Sequence, residues 1–181
     1  LMLSDHTAFV RAITGLGSES EQTQIEAIYQ SDTLELNLSA LVKDERFDRK
    51  AKTKSGINVG TGVWLAGRHR LNVNVMQTQQ DFGTGKTLKL AAGTSGTVVL
   101  TRRVFGLFEV DRVTTTQKSD NLTSDTIQTA SFWSLALEAY KGLIPYARME
   151  HMADLSRSNS LTQRWGAGVN WYVRPHIQID A

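Results

Sequence analysis

What most limits the folds open to this chain is the strict alternation of apolar and polar residues toward its C-terminal end. From Leu143 to Leu155 the odd positions read Leu143, Pro145, Ala147, Met149, His151, Ala153 and Leu155, while the even ones include Tyr146, Arg148, Glu150 and Asp154. From Leu161 to Val173 the odd positions are Leu161, Gln163, Trp165, Ala167, Val169, Trp171 and Val173, set against Thr162, Arg164, Gly166, Gly168, Asn170 and Tyr172. A period of two means β-strands with one apolar and one polar face. Strands in soluble domains have a mode of roughly five to six residues, whereas a tilted membrane-crossing strand needs roughly nine to eleven plus overhang. These segments fit the second class.

The same texture runs upstream. Leu34, Leu36, Leu38, Ala40 and Val42 alternate with Glu35, Asn37, Ser39, Leu41 and Lys43, and Ile57, Val59, Thr61, Val63 and Leu65 alternate with Gly56, Asn58, Gly60, Gly62 and Trp64. Leu71, Val73 and Val75 alternate with Arg70, Asn72 and Asn74, and Trp133, Leu135 and Leu137 with Ser134, Ala136 and Glu138. Ile25, Ala27 and Tyr29 give a weaker case. No window repeats apolar residues at three-and-four spacing over helical length, so an all-β chain is expected. Links between strands are expected to alternate in length: short at Ser31 to Thr33, Ala66 to Arg68, near Phe105 and Gly106, at Lys141 and Gly142, and at Arg174 and Pro175. Longer ones fall at Gly15 to Ser20, Asp44 to Lys54, Asp81 to Gly96, Lys118 to Asp125, and Ser156 to Ser160, unless Leu88, Leu90 and Ala92 extend the following strand into the third of these. Short turns on one side and long loops on the other are the habit of bacterial outer-membrane barrels.

Composition agrees from another side. The chain has 181 residues, 40% of them hydrophobic, and no apolar run approaching the roughly eighteen residues of a membrane helix. Its mean hydropathy of −0.27 does not argue against a membrane barrel, in which only every second strand residue faces lipid. Zero cysteines exclude a disulfide framework and thiolate metal sites. Eleven segments can be counted, from His6 to Thr14 through to His176 to Ala181, and the last is too short to cross a bilayer at roughly 3.3 Å per residue. The expectation is therefore one domain over residues 1–181: a transmembrane antiparallel up-and-down β-barrel, read as part of a larger one, with a small barrel whose first or last segment is miscounted as the other account.

The run Arg164-Trp165-Gly166-Ala167-Gly168-Val169-Asn170-Trp171-Tyr172-Val173-Arg174-Pro175-His176-Ile177-Gln178-Ile179-Asp180 resembles the closing hairpin of the phosphate-selective porin O/P family of Gram-negative outer membranes. That family carries a glycine-aliphatic pair, Asn-Trp-Tyr, an aliphatic residue and a short proline turn. Ala136-Leu137-Glu138-Ala139-Tyr140 and Tyr146-Ala147-Arg148-Met149-Glu150 are similar to its late strands, so the likeness covers residues 131–181. It implies a barrel of about sixteen strands, usually a homotrimer, in the bacterial outer membrane, with basic residues passing small anions. The chain departs from the family in lacking a terminal aromatic and an arginine or lysine ladder.

If the polar parity faces a lumen, Lys43, Arg70, Lys89, Glu138, Arg148, Glu150, Arg164 and Arg174 line it. Leu135, Leu137, Ala147, Met149, Ala167, Val169 and Val59 then face lipid, and Trp165 and Trp171, roughly 20 Å apart along a strand, reach toward the two aromatic girdles. A lining of both signs favours passive diffusion of small hydrophilic solutes with weak ion selectivity. The formal net charge of +2 tilts only slightly toward anions. The same charges could instead be cross-strand pairs filling a narrow barrel. Arg102 and Arg103 are adjacent, so on a strand one of them must point outward and reach the headgroups.

No enzyme is expected. Gly83-Thr84-Gly85-Lys86-Thr87 contains the Gly-Lys-Thr of a phosphate loop, but the first glycine is missing and no helix follows. His6, His69, His151 and His176 have no metal spacing, and no cofactor is implied. The charged stretch from Asp44 to Lys54 reads as a solvated cluster able to meet lipopolysaccharide phosphates. Expected partners are outer-membrane lipid and lipopolysaccharide, small solutes or anions, and copies of itself or an envelope assembly, with no nucleic acid. Two other readings stay open: a structural barrel subunit with a plugged lumen, and a soluble ligand-binding β-barrel, whose strands should be shorter and whose apolar face should point inward.

Overall fold

The computed structural model describes residues 24–41, 54–82, 85–119, 122–140, 142–156, 160–174 and 177–180. They form ten strands: β1 (Gln24–Gln30), β2 (Leu34–Leu41), β3 (Lys54–Leu65), β4 (His69–Phe82), β5 (Gly85–Val99), β6 (Val104–Ser119), β7 (Leu122–Leu137), β8 (Leu143–Asp154), β9 (Ser160–Arg174) and β10 (Ile177–Asp180). The ten make one sheet whose spatial order is the chain order, every neighbouring pair antiparallel. Among the described residues there is no helix, and the sheet does not close: β1 and β10 are its two edges. The segment His6 to Thr14, Lys43, the link at 42–53 and the segment Gly15 to Ser20 lie outside the described residues.

Link lengths do not alternate as expected. β4 and β5 run straight through the supposed loop Asp81 to Gly96, pairing up to Phe82↔Gly85 and leaving only residues 83–84 between them. β6 and β7 likewise pair up to Ser119↔Leu122 across the supposed loop Lys118 to Asp125. The physical reason lies in the side chains. Beyond Val75 the outward positions of β4 are Gln77, Gln79 and Asp81, and beyond Arg112 those of β6 are Thr114 and Thr116. These strand ends are polar on both faces, so they lose the period-two signature while keeping their backbone ladder. β6 and β7, at 16 residues each, span about 50 Å. The link expected near Phe105 and Gly106 sits earlier, at residues 100–103, which places both Arg102 and Arg103 in an exposed turn rather than on a strand. At the β3–β4 turn the reading holds: Ala66 and Gly67 both have positive φ (51° and 66°) and Arg68 N–H donates to the Leu65 carbonyl at 3.3 Å, the primed hairpin geometry.

Register divides the side chains into two faces. One carries Leu38↔Val59↔Val75↔Ala92 across β2 to β5, Leu135↔Ala147↔Ala167 across β7 to β9, and Phe108↔Trp133↔Met149↔Trp165 across β6 to β9. This apolar face is uncovered: Trp165 is 73% exposed and Leu135 53%. On the opposite face Met76, Ala91, Val113 and Ala130 form a buried cluster with Met152 packed against it, and Val113 is wholly buried. A single layer can shield side chains so fully only where it curls, so the second face is the concave one. Its contents, Asn58, Asn72, Asn74, Ser95, Glu109, Arg148, Glu150 and Arg164 among them, are largely polar.

Gly96 shows how tightly the apolar face is fitted. A Cβ there would lie 2.5 Å from the Arg70 carbonyl oxygen and 2.7 Å from Phe108 Cε1, in the space that lets Phe108 stack on Trp133 at 5.6 Å. Gly96→Ala is expected to cost about 1–3 kcal/mol of overpacking strain. Gly60→Ala, whose Cβ would meet nothing closer than 3.8 Å, should cost clearly less. Urea denaturation of both variants in detergent checks this, and equal losses would contradict the packing described.

Candidate functional site

The polar side chains gather at two adjacent levels of the concave face. One level runs Glu35↔Gly62↔Asn72↔Ser95↔Glu109↔Phe132↔Glu150↔Arg164 from β2 to β9; the next runs Trp64↔Arg70↔Thr97↔Leu107↔Ser134↔Arg148↔Gly166 from β3 to β9. Apart from Glu109 in the middle, the charges cluster at the two ends of these rows, because diagonal neighbours on one face of a sheet lie within reach of long side chains.

At the β8–β9 end, Glu150 is only 3% exposed and lies between two guanidiniums. Arg164 Nη2 donates to its Oε2 at 2.7 Å, and Arg148 Nε stands 3.9 Å from its Oε1. Gly166 makes the room: a Cβ there would fall 3.0 Å from Arg148 Nε and 3.3 Å from its Cγ. Removing so buried a carboxylate from water is unfavourable unless cations answer it, and here two do. The trio keeps one net positive charge.

At the β2–β4 end Arg70 is held three ways. Its Nη2 donates to Glu35 Oε2 at 2.7 Å, its Nε to Asn72 Oδ1 at 2.9 Å, and its guanidinium lies 5.3 Å from the Trp64 ring centroid. Asn72 passes the chain on, its Nδ2 donating to Ser95 Oγ at 3.3 Å. Between the two ends Asp111 lies 4% exposed beside the apolar cluster, with Oδ2 lacking a partner among the described residues.

Of the residues singled out from the sequence, Arg148, Glu150 and Arg164 come together, and Arg70 joins a separate cluster. Lys89 lies on the same face but between Thr78 and Thr115, at a level on the far side of the apolar cluster. Glu138 stands past the end of β7, exposed, its N–H bonded to the Arg103 carbonyl at 2.7 Å, so it belongs to the turn region and not to the wall. Arg174 ends β9; its side chain, like Lys43, lies outside what the structure describes. Glu35, Asn72, Glu109 and Asp111 were not singled out. Their parity placed them on the polar face, which was signal enough for Glu35 and Asn72. Among the described residues no group of three or more His, Cys, Asp or Glu side chains could hold a metal ion. What the face offers instead is fixed charge and carboxamide dipoles, arranged along a wall. Set against protein-family models, curated proteins and solved structures, the chain matches none of them.

Proposed function

We propose that this sheet is wall of an outer-membrane β-barrel through which small hydrophilic solutes diffuse passively with weak ion selectivity. One observation carries the reading: the convex face presents uncovered Leu, Val, Ile and Trp side chains on β2 to β7 and on β9 while the concave face holds most of the charges and amides. A soluble protein rarely leaves an apolar patch beyond a few hundred Å² bare, which disfavours a soluble ligand-binding barrel. A bilayer makes the same patch favourable, provided backbone groups pair between strands. The band spans Trp165 to Trp171 on β9 and Ile57 to Leu65 on β3, about 20–26 Å along the strand, near the roughly 25 Å expected of a barrel's apolar belt. The wet upper ends of β4 to β7 then stand clear of the bilayer toward lipopolysaccharide. The likeness of residues 131–181 to phosphate-selective porins supports the same class and a homotrimer, while paired Glu35–Arg70 and Glu150–Arg164 leave little unbalanced charge to select anions strongly.

A second reading has its own support. The apolar cluster of Met76, Ala91, Val113, Ala130 and Met152 lies on the concave face, where an open aqueous lumen has no need of it. A barrel filled by packing or by a partner does.

Reversal potential under a salt gradient in planar bilayers separates the two. Glu150→Gln removes the negative member of the trio yet can still accept from Arg164, and it should move the potential toward anions. Arg148→Gln removes the more distant cation, leaves the 2.7 Å pair intact, and should move it toward cations. Correctly inserted protein that passes no current favours the filled barrel.

A further inference from the structure

We propose that the hollow on the concave face between β2 and β6 is a subsite for a neutral polyhydroxylated solute of sugar-like chemistry; this rests on the concave face being open to water. The hollow has a volume of about 260 Å³ and is lined chiefly by Glu35, Asn37, Asn58, Asn72, Asn74 and Glu109, with Gly60 and Gly62 as its floor. Drug-sized pockets begin near roughly 300 Å³, so this one suits a molecule of monosaccharide size.

The chemistry of the lining decides between ligand classes. Each carboxamide presents two donors and an acceptor, which matches hydroxyl groups that also donate and accept. Asn72 is occupied with Arg70 and Ser95. Asn58 and Asn74, in contrast, line the hollow with no side-chain hydrogen bond among the described residues. Asn37 is engaged at the rim, donating its Nδ2 to Glu26. An anion fits poorly, because Glu35 and Glu109 both face it and the one guanidinium nearby, Arg70, is already engaged by Glu35 at 2.7 Å. A bare cation would use the amide oxygens and waste the amide donors. An apolar ligand would strand all of them.

Two glycines set the shape, and they differ in a way that gives a clean variant. At Gly62 a Cβ would fall 2.6 Å from Asn72 Oδ1, disturbing the hold on Arg70, whereas at Gly60 the nearest atoms are 3.8 Å away. Gly60→Val therefore brings a strand-favouring side chain to the floor of the hollow at a position where a Cβ is free of clash.

The test is saturation-transfer difference NMR on the full chain in detergent, with D-glucose as probe and inorganic phosphate and calcium chloride as competitors. Glucose should show transfer that weakens at least tenfold in Gly60→Val and in Asn58→Ala/Asn74→Ala, with circular dichroism unchanged and neither competitor displacing it. No transfer, equal transfer in the variants, or displacement by phosphate or calcium overturns the subsite. Current without glucose binding overturns the subsite and leaves the pore standing; glucose binding in a chain that passes no current does the reverse.

Discussion

Replacing Ala147 by arginine is expected to destabilise the bilayer-inserted chain by about 2–4 kcal/mol, although its neighbour Arg148 already carries the same guanidinium at no such cost. The difference is one of facing alone. Ala147 is paired with Leu135 and Ala167 on the uncovered apolar face, at a level between Trp165 and Trp171, whereas Arg148 pairs with Ser134 and Gly166 on the concave side. Depth matters, since the same change near an interface costs only about 0–1 kcal/mol. Urea titration in lipid vesicles reads the effect, and spin labels at the two positions should differ in access to a lipid-soluble quencher. A loss under about 1 kcal/mol together with equal access would show that the uncovered face does not meet lipid at all.

Stripping both guanidiniums from Glu150 should cost about 3 kcal/mol, near the lower end of what abandoning a buried charge costs. Arg164 is half exposed, at 51%, and Arg148 less so, at 34%, so the loss falls on the carboxylate and not on the cations. Arg148→Ala/Arg164→Ala is thus expected to be far worse than either single change, and adding Glu150→Gln to the double variant should restore most of the stability. A rescue of this kind separates desolvated charge from lost packing, because the third change returns no contact area. Additive single losses with no rescue would mean that water reaches Glu150 freely.

Much of the fold was legible because period two is a local signal: the parity of Leu143 to Leu155 and of Leu161 to Val173 gave both faces of β8 and β9 without any knowledge of their partners. The links were misread for the converse reason. A strand wet on both sides, as at Gln77 to Asp81 or Thr114 to Lys118, has no alternation to detect, and its polar composition imitates a loop. Pairing across distance was equally hidden. Glu35 and Arg70 meet through β3, and only the register Glu35↔Gly62 and Trp64↔Arg70 brings their levels together. The apolar cluster escaped notice because Met76, Ala91, Val113 and Ala130 come one from each of four strands, and become a group only when those strands are laid side by side.

The nearest-neighbour order of the sheet sets the terms on which such a chain could reach a membrane. Each strand bonds only to those before and after it in sequence, so hairpins can zip up one after another with short loop closures, the favourable case for rapid assembly. Yet every partly zipped sheet ends in two raw edges, and inside hydrocarbon each unpaired amide or carbonyl costs several kcal/mol. Locality therefore makes the hairpins quick to form but forbids them from entering lipid one at a time. For a barrel wall of the kind proposed, the order of events that the topology allows is pairing at the surface first, with passage across the bilayer as a concerted step once the edges have been satisfied.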